Sequence, residues 1–135
     1  MAGHPELRRH LTSATDLDRA RYLSLATFRT TGAEVRTPVW FAAVDGRLWV
    51  FTAGNSGKVK RLRRSPRARL APCDARGGVR GPWRDATARI ASDPAAIARA
   101  RAAIRAKYGW RTWLLDLFSR LTGRIGRRAW IEIEI

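Results

Sequence analysis

The sequence predicts a mainly β chain with added helices, built as a small barrel of five or six antiparallel strands. Three observations carry that reading. Apolar residues alternate with a period of two over 22–30, 35–41, 47–52 and 128–135. Tight-turn signals, Thr31-Gly32 and Asp45-Gly46, join the first three of those runs. The chain has 135 residues and is 45% hydrophobic, enough for a real core. Closing that many strands into a barrel removes the unpaired edges an open sheet would expose.

Each element follows from local signals. Residues 5–20 read as a short helix with Leu7 and Leu11 on one side, ending near Asp16-Leu17-Asp18. From Tyr22 to Thr30 the period switches to two, with Leu23, Leu25 and Thr27 on one face and Tyr22, Ser24, Ala26 and Phe28 on the other. A second strand alternates Val35, Thr37, Val39 and Phe41 with Arg36, Pro38 and Trp40. Pro38 cannot donate to a ladder, so an edge, a bulge or a ligand is expected there. Asp45-Gly46 suits a two-residue hairpin turn, and Arg47 to Thr52 is the third strand. A loop from Ala53 to Gly57 opens into a basic helix that stops at Ser65-Pro66. Arg67 to Cys73 is a fourth strand, a loop with Gly77-Gly78 follows, and Arg84 to Ala91 is a fifth. Asp93-Pro94 starts a helix whose inner face is Ile97, Ala100, Ile104 and Tyr108, up to Gly109. Trp110, Trp113, Leu114, Leu117, Phe118 and Leu121 give another amphipathic helix, ending at Thr122-Gly123. A helix of that kind can lie on a membrane; packing against the barrel or a partner subunit is the more ordinary use. Arg128 to Ile135 is the last strand, strictly alternating through Trp130-Ile131-Glu132-Ile133-Glu134-Ile135.

Composition narrows the function. One domain, 1–135, is expected at this length. The longest apolar stretches fall far short of the roughly 20 residues a membrane span needs. The N-terminus carries His4, Glu6, Arg8 and Arg9 with no apolar signal core, so a cytoplasmic location is expected. A single cysteine, Cys73, and two terminal histidines, His4 and His10, give no internal disulfide and predict no metal site. The formal net charge of +16 predicts an anionic partner: nucleic acid, acidic lipid or a polyanionic small molecule. The arginines are spread over every segment rather than gathered in a tail, which argues against nucleic acid, and their abundance also fits a GC-rich coding bias.

The densest signal lies between Thr37 and Arg64. Here a hairpin feeds the loop Ala53-Gly54-Asn55-Ser56-Gly57, which opens into Lys58-Val59-Lys60-Arg61-Leu62-Arg63-Arg64. N–H groups at a helix start converge, and the helix dipole favours negative charge there. Lys58 and Arg61 on the first turn add two cations, so the segment suits a phosphate. The same run also fits a solvated helix face. A triphosphate-binding loop is rejected, because that motif needs four residues between its glycines and Ser or Thr after the Lys. Here two intervene and Val59 follows.

Tyr22-Leu23-Ser24-Leu25-Ala26-Thr27-Phe28-Arg29, Thr37-Pro38-Val39-Trp40-Phe41 and Thr52-x-x-x-Ser56-x-Lys58-x-x-Arg61-Leu62 resemble the pyridoxamine 5′-phosphate oxidase-like split β-barrel proteins. More narrowly, the chain looks like the flavin/deazaflavin oxidoreductase B group, whose members commonly use the deazaflavin coenzyme F-420. Ala71-Pro72-Cys73-Asp74, the Arg-Gly loop after it, and Lys107-Tyr108-Gly109-Trp110 look like a mycobacterial-type branch of that group. The resemblance covers about residues 20–135.

The resemblance implies an FMN-binding split barrel of about six antiparallel strands with flanking helices. It implies a cofactor phosphate against Thr52, Ser56, Lys58 and Arg61, and Arg36, Thr37, Pro38, Val39 and Trp40 along the ring system. It also implies a homodimer with the cofactor at the subunit interface. Pro38 fits there, since a residue without an N–H can face a ligand without leaving a donor unpaired. FMN presents one terminal phosphate, whereas F-420 presents a phosphodiester and a polyglutamate tail. Lys58, Lys60 and Arg61, extended by Arg63 and Arg64, form a track for that tail, so F-420 is favoured over FMN. The implied activity is hydride transfer to an unsaturated or quinone-like small molecule. No acid–base residue stands out, and Arg36 or a nearby Tyr or Trp is the candidate for polarising the acceptor. Cys73 reads as a small buried strand residue, with no His nearby in sequence to activate it. Two rival readings come from other classes. One is a flavin or haem carrier without catalysis. The other, resting on charge alone, is a nucleic-acid-binding protein without a recognised reading motif.

Overall fold

The computed structural model of the chain describes residues 14–109, 111–112 and 128–135. Its strands are β1 (Tyr22–Phe28), β2 (Glu34–Val39), β3 (Phe41–Val44), β4 (Arg47–Ala53), β5 (Arg67–Cys73), β6 (Arg84–Ile90) and β7 (Arg128–Glu134). Its helices are α1 (Ala14–Leu17), α2 (Gly57–Arg64) and α3 (Pro94–Tyr108). The strands form one seven-stranded sheet in the order β2-β1-β5-β6-β7-β4-β3, with every pairing antiparallel. The two outermost strands, β2 and β3, are separated in sequence by Trp40 alone. One residue cannot span a flat seven-stranded sheet, because neighbouring strands lie about 4.8 Å apart. The sheet therefore curls until its two edges meet at Trp40. That is a split barrel, mainly β with helices packed outside it.

The strand expected over Val35 to Phe41 is thus two strands, and the total is seven rather than about six. The alternation runs through the break unchanged: Val39 and Phe41 are buried inward, with Trp40 between them. A distant residue makes the corner. The Trp40 ring stacks on the Tyr108 ring with centroids 4.4 Å apart and planes 4° apart. The Tyr108 hydroxyl accepts from the Phe41 N–H at 3.1 Å and donates to the Arg21 carbonyl at 2.8 Å. Burial pushes that hydroxyl up to about 12, so it remains a donor at neutral pH.

Alternation sorts the core into two layers. Inside the curl lie Leu23, Leu25, Phe41, Leu48, Val50, Leu70, Ile131 and Ile133, plugged by Leu62 from α2. On the outer face, Trp49 and Trp130 pack against Ala100, Ile104 and Tyr108 of α3. The α3 boundaries follow from their caps: the Asp93 carboxylate accepts from Ala95 N–H at 3.1 Å, Pro94 opens the first turn, and Gly109 (φ 61°) ends the helix. The Asp45-Gly46 turn has φ of 52° and 78°, the pair of left-handed conformations a two-residue hairpin needs.

β1 departs from simple alternation, since Leu23 to Phe28 is buried on both faces. Ala26 pairs with Arg36 on one side and Arg69 on the other, and both guanidiniums stack on Trp83, at 4.5 and 5.3 Å. The indole therefore covers the outer face of the strand. The expected helix over 5–20 is seen as Ala14–Leu17, and its first part lies outside the described residues. The expected Trp110–Leu121 helix also lies largely outside them. No helix among the described residues is long and apolar enough to cross a membrane.

Candidate functional site

The loop after β4 and the start of α2 bring two cations beside a helix N-terminus. Ser56 caps α2 in an extended conformation (φ −68°, ψ 159°), and its Oγ accepts from the Val59 N–H at 3.4 Å. Thr52 Oγ1 lies 3.4 Å from the same Oγ, so the end of β4 and the helix start are joined. The first turn of α2 holds no acidic residue. Val59 and Leu62 bury the inner side of the helix, which leaves Lys58 on its flank, half-buried.

Arg61 folds back over that first turn. Its Nε donates to Thr27 Oγ1 of β1 at 2.7 Å. Its terminal nitrogens lie 2.7 and 3.2 Å from where a Cβ on Gly57 would stand. Gly57 is therefore the residue that lets the guanidinium lie across the helix start. Burial pushes the Lys58 ammonium below the ordinary lysine range, and the Arg61 charge adds to the shift. Burial likewise lowers Arg61, with Arg29 and Arg64 contributing. Neither Lys58 nor Arg61 has an acidic partner among the described residues. Two partly desolvated like charges beside convergent helix N–H groups stabilise each other only through an anion.

Gly57→Ala tests this arrangement without touching a charge. Alanine is favoured over glycine in a helix by roughly 0.5–1 kcal/mol, so melting of the free protein should hold or rise. The Arg61 guanidinium must move away, and affinity for a phosphate-bearing ligand should fall several-fold. Unchanged affinity would remove Arg61 from the site.

The residues expected along a ring system occupy β2 and its end, with differing roles. Thr37 Oγ1 is buried without a hydrogen-bond partner. Thr37 faces the same side as Thr27, because Leu25 pairs with Thr37 and Thr27 with Val35. Thr37 is thus the diagonal cross-strand neighbour of the threonine that holds Arg61. Pro38 is exposed on the edge strand β2, as a residue without a donor requires. The 74–83 loop passes beside it, with a Cβ on Gly77 standing 3.8 Å from Pro38 Cδ. Arg36 is held by Glu34 at 2.9 Å as well as by Trp83, so its guanidinium is occupied. Val39 belongs to the inner core, and Trp40 is half-buried on Tyr108. Thr52, Ser56, Lys58 and Arg61 come together; Lys60 does not join them. It is exposed, about 200° round the helix from Lys58.

Sequence reasoning missed Thr27, Gly57, Glu34 and Trp83. Thr27 left a trace, as a hydroxyl ending an otherwise apolar inward face; Gly57 acts on Arg61 one turn along its own helix, and Glu34 and Trp83 contact residues far along the chain. Cys73 is buried with its thiol pushed up by burial, as a packing residue would be.

A family model, pyridoxamine 5′-phosphate oxidase, matches residues 13–135. The chain belongs to that family. Solved structures share its fold. A conserved hypothetical protein from Mycobacterium tuberculosis superposes with a TM-score of 0.63 at 24% identity, covering 88% of this chain and 75% of that one. The haem storage protein HutZ from Vibrio cholerae gives 0.64 at 12% identity, covering 97% and 88%. A haem binding protein from Mycobacterium smegmatis gives 0.60 at 16% identity, and the match covers 91% of this chain but 51% of that one. No curated protein is significantly similar in sequence.

Proposed function

We propose that this member of the pyridoxamine 5′-phosphate oxidase family is an F-420-dependent oxidoreductase that transfers a hydride to an unsaturated or quinone-like small molecule. One observation carries the reading: Lys58 and Arg61 stand side by side, partly buried and without an acidic partner among the described residues, at the start of α2. The donor set suits a phosphodiester. Ser56 and Thr52 orient the loop, Thr27 fixes Arg61, and the α2 N–H groups complete the cradle. Arg64, one turn beyond Arg61 on the exposed side of the helix, adds positive charge toward a polyglutamate tail. Lys60 and Arg63 lie on the other side of the helix and are left out of the site. The Thr37 hydroxyl is the unpaired polar group beside β2 that a ring carbonyl or nitrogen would satisfy.

When bound, a reduced deazaflavin supplies the hydride from its own ring. The chain's contribution is orientation and exclusion of water. Pro38 presents an edge without an N–H, and Glu34 and Trp83 fix Arg36 beside it. The reading is tested by mixing the protein with reduced F-420 and a panel of quinones and conjugated enones. Protein-dependent reoxidation of F-420 is expected with at least one acceptor; none with any acceptor, despite tight binding, would leave a carrier.

A non-catalytic flavin or haem carrier is the second reading, supported by the names of the haem storage and haem binding proteins that share the fold. The assembly follows from the same family. A homodimer with twofold symmetry is proposed, and light scattering should give about twice the monomer mass. A strict monomer that still binds cofactor would remove the shared-interface arrangement.

A further inference from the structure

Part of the excess charge, scattered along the sequence, stands on α2 without acidic partners among the described residues. The described ion pairs place acidic groups beside Arg36, Arg47, Arg69, Arg80, Arg99 and Lys107. None reaches α2 or its neighbours. Lys60 and Arg63 are exposed on the solvent side of α2, one turn apart, with no ion pair among the described residues. Two more guanidiniums, on the last residue of α2 and at the start of β5, are fastened to the end of β1. Arg64 donates to the Phe28 carbonyl at 2.9 Å, and Arg67 lies over the Phe28 ring at 4.0 Å. Arg29 follows Phe28 directly and is exposed.

We propose that this face, Lys60, Arg63, Arg64, Arg67 and Arg29, docks the phosphate backbone of duplex nucleic acid without reading its sequence. Guanidiniums already held by β1 lose little freedom on meeting phosphate oxygens, and arginine suits that geometry. α2 is about 12 Å long, so it runs beside about three phosphates of one strand. The face lacks what other partners require. A membrane-surface helix inserts an apolar side, and Val59 and Leu62 are buried within the protein. Protein interfaces centre on apolar or aromatic anchors, and the exposed large apolar residues among those described, Val79 and Ile135, lie elsewhere. Single strands need stacking platforms, and Arg67 covers Phe28.

The test is fluorescence anisotropy of a labelled duplex of about 20 base pairs with the full chain, from about 50 to 200 mM salt. Two unrelated sequences should bind alike, and affinity should fall steeply with salt. Lys60→Gln/Arg63→Gln should lower the slope of log affinity against log salt by about two units, at about 0.9 per lost phosphate contact. Arg19→Gln/Arg76→Gln removes the same charge from exposed positions elsewhere and should leave the slope unchanged. Melting curves should show that both variants fold, as exposed cations contribute little to stability. The proposal is overturned by no duplex binding at about 50 mM salt, or by an equal effect of the control pair, which would assign binding to net charge alone. Tighter binding to single strands, or to phosphatidylserine vesicles, also overturns it. The variants leave Lys58, Arg61 and Arg64 intact, so the outcome is independent of the cofactor reading.

Discussion

Lys58→Ala should weaken binding of a phosphate-bearing cofactor roughly ten- to a hundred-fold. One charge-assisted bond to a partly desolvated anion contributes about 1.5–3 kcal/mol, and the α2 N–H groups remain. The free protein should melt at the same temperature or slightly higher. Lys58 is half-buried beside Arg61, so its charged form is penalised in the folded state, and the variant removes that penalty. The sign of the pH dependence follows. The free protein holds Lys58 below the ordinary lysine range, and a bound anion favours its charged form and raises it again. Cofactor affinity is therefore fully present below the lowered lysine value and is lost as pH rises through it. Lys58→Ala should be flat over that window. If the α2 run is only a solvated face, cofactor affinity will not change in the variant at any pH.

Phe41→Ala should cost about 3–5 kcal/mol, a fall in melting temperature of about 10–20 °C. Phe41 is fully buried in the inner core at the point where the sheet's two edges meet. The Lys107 ammonium sits 3.6 Å from its ring centroid, so truncation also uncovers a half-buried cation. Tyr108→Phe removes only the hydroxyl that binds the Phe41 N–H and should cost less, about 1–3 kcal/mol. A Phe41→Ala variant that melts with the parent would show that closure at this corner does not hold the fold.

These two residues also show where sequence reading stops. Local signals located the strands, the Asp45-Gly46 turn, the Asp93-Pro94 helix start and the stop at Ser65-Pro66, because each rests on neighbours within a few positions. The break at Trp40 left no local mark. Val39 and Phe41 keep the alternation across it, and the partner that turns the corner, Tyr108, lies 67 residues beyond Phe41. The two faces of β1 were legible, but not that Trp83 would bury the outer one. In the site, the order of Ser56, Lys58 and Arg61 is a local motif and could be read. Arg61 depends on Thr27, 34 residues away, and only the fold reveals that contact. The opposite direction of Lys60 follows from the helical period alone. Treating the cations as one continuous track hid it.

The most direct test of the cofactor site is a parallel titration of the purified chain with F-420, F-420 lacking its glutamate tail, FMN and haem. Oxidised F-420 should bind at micromolar or better affinity and more tightly than FMN or haem. Removing the tail or raising the salt should weaken it, because the positive charges of Lys58, Arg61 and Arg64 are then less engaged. FMN or haem binding more tightly than F-420, or a tail that makes no difference, would contradict the account.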